Sequence, residues 1–425
     1  MPSPQTDENI LLVLGRSGSV MDAAARLHGD EAATDNPRIP AAWTFFGQFI
    51  AHDITADRSL LIHHARLKEL RNFRTPRFDL EAVYSAGPTG SPYLYDLDDA
   101  DKFLLGINDI GEMADLPRNR QGRALIGDPR NDVHLFISQL HVAFLKFHNA
   151  IVDELRKQGG ASENVFNEAQ RLVRWHYQWI VVHEFLPLTV GDELVDDILT
   201  NSFRFYSYEP RPYIPVEFAD AAYRFGHSQI RLTYKLNAGS EELQVFPDCG
   251  GTCAVDHDHV LDWAYFFNTD SVHPPQASKR IDTILAHSLI DLPTSVVGTT
   301  GIPEEHSLAY RDLVRGEALD LPSGEALARA MGVEPLTPEE VGLRAFGWKS
   351  ETPLWYYILK EAEVRHAGDY LGDVGGRIVA EVLIGLLAAD PTSYFNAETE
   401  WQPTLPASQQ GNFTIADLLR FAGVA

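Results

Sequence analysis

The longest helical pattern in the chain, residues 131–160, constrains the fold more than any other feature. Apolar residues recur at helical spacing in NDVHLFISQLHVAFLKFHNAIVDELRKQGG, and Gly159 and Gly160 mark its C-terminal end. A second long pattern, residues 162–187, predicts a helix that ends at Pro187. Alternating strand patterns are scarce, so the sequence predicts a mainly α-helical protein.

Shorter helical patterns and loops fill the rest of the chain. Residues 71–98 are rich in Pro, Gly and Asp and predict an ordered loop. Residues 1–40 are polar and rich in turn formers, and they predict an N-terminal arm with one short helix ahead of a single domain over residues 41–425. The other helical patterns cover residues 41–54, 218–234, 260–267, 277–293, 323–332 and 414–424.

Composition narrows the possible partners. The chain has 425 residues, 44% of them hydrophobic, which is ample for a large core, and its net charge of -25 disfavours nucleic acid as a partner. Cys249 and Cys253 are too few for a disulfide framework or a zinc site, and we expect two ordinary thiols. We expect no signal peptide and no transmembrane segment, and a location in the cytoplasm or outside the cell by a route without a classical signal. Nothing in the composition specifies an oligomeric state.

Polar residues interrupt the apolar pattern of the segment FGQFIAHDIT, residues 46–55. Gln48 and His52 are four residues apart and share one helical face, whereas Asp53 lies on another. Read alone, this segment fits a core histidine with a hydrogen-bonding neighbour as well as it fits a functional site.

Three further segments carry polar side chains that packing alone does not require. Arg130 precedes the long helix in GDPRNDVHLF. Arg224 and His227 are three residues apart in YRFGHS, and Asp312 and Arg315 have the same spacing in YRDLVRGEALDLPSG. Each pair therefore shares a face of a helix.

Taken together, these segments resemble the animal-type haem peroxidases of the peroxidase–cyclooxygenase superfamily, including short bacterial members. Any one motif is weak, but six in the family's order are specific. The resemblance covers about residues 40–335 and implies a mainly α-helical peroxidase domain with haem between central helices. The matching motifs are GQFIAHD, RTPRFDLEAVY, GDPR, FHNAIVDEL, RFGHS and RGEALDLPSG.

The resemblance implies that His52 is the distal histidine, which moves a proton from the inner to the outer oxygen of peroxide. Arg130 matches the distal arginine, which stabilises the charge that develops as the O–O bond breaks. Gln48 matches the distal glutamine, a hydrogen-bond partner for water or an anion. The alternative for Arg130 is a surface salt bridge to Asp128 or Asp132.

On the opposite side, the resemblance makes His227 the ligand of the haem iron. The family usually supplies an asparagine as acceptor for its ring N–H, and this chain has Asp312 instead. We expect the carboxylate to give the imidazole more anionic character and to lower the iron reduction potential. Arg224 and Arg315 match arginines near the haem propionates, with ordinary surface arginines as the alternative.

The resemblance also implies a calcium site, since the residue after the distal histidine binds Ca²⁺ with a loop in this family. The implied oxygen ligands suit a hard cation, and a solvated acidic loop is the alternative. The set is Asp53, Thr75, the carbonyl of Arg77, Asp79 and Glu81.

Two positions depart from mammalian members, which attach haem through esters of an aspartate and a glutamate. Ala51 and Val133 occupy the corresponding positions here and form no ester, so we expect non-covalent haem b. The neighbouring His134 has no assigned role, and a core or surface histidine is the default.

The implied function is a haem peroxidase that reduces hydrogen peroxide through a ferryl intermediate and oxidises a small organic, halide or pseudohalide donor. A fatty-acid dioxygenase of the same superfamily is the first alternative. Oxygenases place a radical-forming tyrosine where this chain has Arg224. Tyr223 is one residue earlier, which on an α-helix turns its ring by about 100°. The second alternative is a non-catalytic haem- or calcium-binding module.

Overall fold

A computed structural model describes residues 8–26, 34–56, 71–159, 164–269 and 272–425. Helices dominate this part of the chain, which confirms the mainly α-helical prediction. The α-helices are α1 (Glu8–Gly15), α2 (Ala23–Arg26), α3 (Ala42–Ile54), α4 (Glu81–Tyr84), α5 (Gly87–Gly90), α6 (Leu135–Lys157), α7 (Val165–Ile180), α8 (Leu186–Val190), α9 (Asp192–Asn201), α10 (Val216–Ala219), α11 (His287–Ile290), α12 (Thr294–Val297), α13 (Leu308–Ala318), α14 (Gly324–Met331), α15 (Pro338–Val341), α16 (Leu354–His366), α17 (Asp373–Ala389) and α18 (Ile415–Phe421).

The strands within the described residues are short and form two antiparallel pairs. They are β1 (Asp35–Pro40), β2 (Thr233–Lys235), β3 (Glu242–Gln244) and β4 (Ala277–Lys279). Strand β1 pairs with β4, and β2 pairs with β3. The first pair ties the segment ahead of α3 to the second half of the chain.

Helix α6 is the central helix of the fold and packs against α3, α7 and α18. It is long and apolar enough to cross a membrane by length and composition, with a mean hydropathy of 1.3 over the most apolar window. This corrects the expectation that no segment reaches that threshold. However, 83% of the window is buried inside the fold, as in the core helix of a globular domain.

The helix predicted over residues 162–187 does not end at Pro187. Helix α7 passes into a π-helical turn, Val181–Phe185, and α8 then carries the chain through Pro187 to Val190. Proline is tolerated here because it lies in the first turn of α8. Gly191, with φ of 85°, ends this run of helices.

Three predicted helices are wrong in whole or in part. Residues 218–234 contain the end of α10, the 3₁₀ helix Ala222–Gln229 and strand β2. Residues 260–267 hold only the 3₁₀ turn Trp263–Tyr265, and residues 277–293 hold β4 and α11. Conversely, α16 and α17 were not predicted, and both are buried along most of their length.

The N-terminal segment belongs to the core at its first helix. Helix α1 packs against α13, and Leu11 and Leu14 are fully buried. The helices approach so closely that a Cβ at Gly15 would lie 2.6 Å from the backbone nitrogen of Tyr310.

Candidate functional site

A cavity with a volume of about 560 Å³ lies between α3 and the 3₁₀ helix Ala222–Gln229. Gln48 and His52 of α3 line it, as do Arg130 from the turn before α6 and His227 from the 3₁₀ helix. The structure therefore brings together side chains that lie up to 179 positions apart in sequence.

A close backbone contact holds the two walls of the cavity together. The Thr44 hydroxyl donates to the carbonyl of Gly226 at 3.0 Å. A Cβ at Gly226 would lie 3.2 Å from that hydroxyl oxygen, tighter than an ordinary contact. A small residue immediately before His227 thus lets the 3₁₀ helix sit against α3.

His52 is buried, and its ring is fixed by an amide. Its Nδ1–H donates to Oδ1 of Asn131 at 2.7 Å, and Nδ2 of Asn131 donates to Nδ1 of His141 at 3.0 Å. Burial and then the nearby Arg130 guanidinium lower the pKa of His52 to about 4, against the opposing effect of the Asn131 bond. His52 is therefore neutral at pH 7, with Nε2 as its proton acceptor. Asn131 was not predicted as a site residue, although it directly follows Arg130.

Arg130 lies at the cavity and forms the salt bridge to Asp128 that was considered as its alternative. It lines the cavity, and its Nε and Nη2 also donate to the Asp128 carboxylate, the latter at 2.8 Å. Nη2 further donates to the carbonyls of His52 and Thr55, at 3.0 and 2.6 Å. The alternative partner Asp132 pairs with Arg118 instead. The guanidinium thus anchors the end of α3 beside the cavity.

His134, unassigned from the sequence, orients Gln48. Because the Ile137 N–H donates to His134 Nδ1 at 3.3 Å, the ring proton is on Nε2, which donates to Oε1 of Gln48 at 2.8 Å. Burial and then His52 lower the pKa of His134 to about 3, so this ring is neutral too. With Oε1 engaged, the NH₂ group of Gln48 remains to donate to a ligand in the cavity.

The CGGTC segment supports the same region. The N–H of Gly251 donates to the Val133 carbonyl at 3.1 Å, and that of Thr252 to the Asp132 carbonyl at 2.8 Å. A Cβ at Gly251 would lie 2.0 Å from the Asp132 carbonyl oxygen, so only glycine fits. Both cysteines that flank this segment are free thiols, as expected.

His227 is held from behind by a buried carboxylate. Its Nδ1–H donates to Oδ2 of Asp312 at 2.6 Å, and Arg224 Nη1 donates to Oδ1 at 2.7 Å. Burial alone would raise the pKa of Asp312, but the His227 and Arg224 contacts outweigh it and lower this pKa below its ordinary value. An ionised Asp312 fixes the tautomer of His227 and leaves Nε2 as a ligand atom.

The two arginines matched to the haem propionates differ in position. Arg224 lines the cavity and also donates to Asp220 at 3.0 Å. Arg315 pairs with the same Asp220 carboxylate and is not among the residues that line the cavity in the described part of the chain. Arg315 therefore lies behind the residues that line the cavity and is connected to Arg224 through Asp220.

The candidate calcium ligands lie close together but are not assembled around one point. Asp53 is fully buried, its Oδ1 has no partner, and its Oδ2 accepts only the Leu80 N–H, at 3.2 Å. Burial and then the Asp79 carboxylate raise the pKa of Asp53 well above its ordinary value. Glu81 is turned toward Arg74, at 2.9 Å. Within the described residues no group of three or more acidic, histidine or cysteine side chains is arranged to hold a metal ion.

Ala51 and Val133 both line the cavity. They occupy the places where the resemblance would put ester-forming carboxylates, and neither side chain can form such a bond.

Tyr223 lies one residue before Arg224, an offset of about 120° in the 3₁₀ helix Ala222–Gln229, which has three residues per turn. This offset does not remove it from the cavity. Tyr223 lines the cavity and stacks on Phe218 at 4.6 Å. Its hydroxyl is buried without a hydrogen-bond partner.

Comparison with known proteins identifies the family of the chain. The sequence profile described as animal haem peroxidase matches residues 63–286, more than half of the chain. The chain therefore belongs to the animal haem peroxidase family, within the peroxidase–cyclooxygenase superfamily. The matched range includes Arg130 and His227, whereas His52 and Asp312 lie outside it.

Individual proteins match the chain at low to moderate sequence identity. Chorion peroxidase of Aedes aegypti is 34% identical over 312 residues, covering 69% of this chain and 37% of that protein. The chain thus spans little more than a third of that relative. Peroxidase A of Dictyostelium discoideum has a similar fold, with a TM-score of 0.63 and 16% identity over 93% of this chain and 85% of that one. Fatty acid alpha-dioxygenase of Oryza sativa does too, with a TM-score of 0.66 and 16% identity over 99% and 77%.

Proposed function

We propose that this oxidoreductase is a haem peroxidase that reduces hydrogen peroxide and oxidises a small donor. One observation carries the proposal. Neutral His52, Arg130 and His227, whose ring is bound to Asp312, border a single cavity. A protein that only binds haem would need neither His52 nor Arg130.

The residues present fit non-covalent haem b. His227 offers Nε2 as an iron ligand because its Nδ1–H is bound to an ionised carboxylate. Ala51 and Val133 supply no carboxylate for a covalent link. Arg224 offers a cation at the cavity wall for a propionate, and Arg315 supports it through Asp220.

Haem, when bound, supplies the iron that binds peroxide and the two electrons that cleave its O–O bond. His52 takes the proton from the inner peroxide oxygen at Nε2 and returns it to the outer oxygen, which leaves as water. Arg130 stabilises the negative charge on the departing oxygen. Two electrons from the donor complete the reduction to a second water, with two protons that come from a phenol itself or, for iodide, bromide or thiocyanate, from solvent.

The cavity lining bears on the choice of reducing substrate. It includes the apolar side chains of Phe218, Ile230, Leu289 and Leu292, and the NH₂ group of Gln48 can donate a hydrogen bond near His52. We propose small phenols, iodide, bromide or thiocyanate as donors.

The test is to load the purified protein with haem and assay peroxide-dependent oxidation of guaiacol and iodide. We expect turnover in wild type and in His257→Ala, an exposed control histidine. His227→Ala should lose the ferric haem spectrum or change its ligation. Haem binding with no turnover of any donor would reject a peroxidase and favour a haem-binding module.

We further propose that Ca²⁺ binds Asp53 and Asp79, joined by Thr75, the Arg77 carbonyl and Glu81. The buried, unpartnered Oδ1 of Asp53 and its repulsion from Asp79 are both relieved by a cation. Glu81 joins by exchanging its contact with Arg74.

Calcium binding is tested by chelation. Removing Ca²⁺ with EGTA should lower the melting temperature, and added Ca²⁺ but not Mg²⁺ should restore it. Asp53→Asn should abolish the response. A melting temperature that is insensitive to EGTA in wild type would contradict the calcium site.

Fatty-acid oxygenation is the second candidate, because Tyr223 lines the cavity with an unpartnered hydroxyl. Incubation with linoleic acid and O₂ separates the two functions. Oxygenated products that disappear in Tyr223→Phe would favour the oxygenase. Unchanged fatty acid, alongside guaiacol turnover, would support the peroxidase.

A further inference from the structure

Asn131 joins the cavity histidine to a second buried histidine. The side chain is fully buried at the turn between Arg130 and α6. Its Oδ1 lies 2.7 Å from Nδ1 of His52, and its Nδ2 lies 3.0 Å from Nδ1 of His141.

The two ends of the amide differ, and this difference sets the ring protons. An amide oxygen only accepts, so the proton of His52 must be on Nδ1. An amide nitrogen only donates, so Nδ1 of His141 must be unprotonated. One amide thus places the two imidazoles in opposite tautomers.

We propose that Asn131 is a positioning residue that keeps the proton of His52 on Nδ1 and so keeps Nε2 unprotonated toward peroxide. This inference rests on the proposed peroxidase function and deepens it. With the opposite tautomer, Nε2 would carry a proton and could not accept one from the inner oxygen of peroxide.

The position of Asn131 makes this role specific. Its backbone N–H donates to the Asp128 carbonyl at 3.0 Å, within the same turn that places Arg130. Arg130, the cation of the cavity, and Asn131, which contacts the His52 ring, are therefore consecutive residues of one turn. Without the amide oxygen, the buried Nδ1–H of His52 loses its acceptor, and the Nε2–H tautomer becomes populated.

The experiment reads the tautomer directly. Full-length protein labelled with ¹⁵N-histidine is loaded with haem and studied in the diamagnetic ferrous carbon-monoxide form. The His52 ring signals are assigned by their loss in His52→Ala. We expect a protonated Nδ1 and an unprotonated Nε2 in wild type, and the reverse pattern for His141.

Two substitutions separate positioning from packing. Asn131→Leu removes both hydrogen bonds, and we expect Nε2–H signals at His52 with peroxide reacting at least tenfold more slowly in stopped flow. Asn131→Asp keeps an acceptor for His52 and loses the donor to His141, so Nδ1 of His52 should stay protonated.

The outcomes are decisive in each case. A wild-type His52 with its proton on Nε2 overturns the proposal even if no variant folds. An Asn131→Leu protein whose tautomer and rate both match wild type also overturns it, as does a change in only one of the two. A wild-type Nδ1–H tautomer in a protein that never reacts with peroxide would instead reject the proposed function.

Discussion

Replacing Asp312 with asparagine tests how the carboxylate behind His227 sets the reduction potential of bound haem. Asp312 is buried and accepts from His227 at 2.6 Å and from Arg224 at 2.7 Å. Asparagine keeps the shape and one acceptor but removes the charge. Ferric iron carries more positive charge than ferrous iron, so the carboxylate stabilises the ferric form more. Loss of the carboxylate charge should therefore raise the reduction potential.

The size of the change follows from the strength of the hydrogen bond. A bond to a charged acceptor contributes about 1.5–3 kcal/mol, and a neutral one about 0.5–1.5 kcal/mol. The difference of about 1–2 kcal/mol corresponds to a rise of roughly 40–90 mV for a one-electron couple.

The assay is a spectroelectrochemical titration of haem-loaded protein. Asp220→Asn is the matched control, because Asp220 also accepts from Arg224, at 3.0 Å, but does not contact His227. We expect a smaller shift there. An Asp312→Asn potential equal to that of wild type, or to that of the control, would refute this account of the carboxylate.

Three further predictions concern orientation, packing and pH. His134→Phe should weaken fluoride binding about fivefold in an absorption titration, because it releases Gln48. Adding Gln48→Leu to the same protein should cause no further loss of affinity. Additive losses would contradict the coupling of the two residues. Gly251→Ala should lower the free energy of unfolding, measured in urea, by about 1–3 kcal/mol, because its Cβ would meet the Asp132 carbonyl oxygen at 2.0 Å. The control Gly301→Ala, whose Cβ would have no neighbour within 4 Å, should leave this free energy nearly unchanged. Stability should fall as the pH drops from about 6.5 to about 4, by up to about 3 kcal/mol per buried histidine, because the unfolded state binds the proton first. A melting temperature that stays constant across this pH range would contradict this prediction. The fully or nearly fully buried histidines whose pKa is lowered to about 3 or 4 by burial are His52, His134, His141, His148 and His176.

The sequence predicted the elements whose period is visible in the chain itself. Helices α3 and α6 were both found close to their predicted bounds, although only α6 keeps a clear polar face. Helix α17 is about as buried as α3, and it was missed because Gly375, Gly376 and Gly385 lower its helix propensity. The 3₁₀ helix that carries His227 was read as α-helical because three-residue spacing suits both forms.

The candidate site shows the same division. Motifs identified His52, Arg130 and His227, and the structure brings all three to one cavity. The motifs also predicted Asp312 as the partner of His227, whereas Asn131 and the His134–Gln48 bond are tertiary contacts with no signal in spacing. The one-residue offset of Tyr223 from Arg224 likewise did not indicate that Tyr223 lines this cavity.

The role of His52 in peroxide cleavage is the central claim, and one stopped-flow measurement tests it most directly. Haem-loaded wild type, His52→Ala and the exposed control His257→Ala are each mixed with stoichiometric hydrogen peroxide while the haem absorption is followed. The account predicts a rapid spectral change in wild type and the control, and a change at least a hundredfold slower in His52→Ala. Equal rates in all three proteins would contradict it.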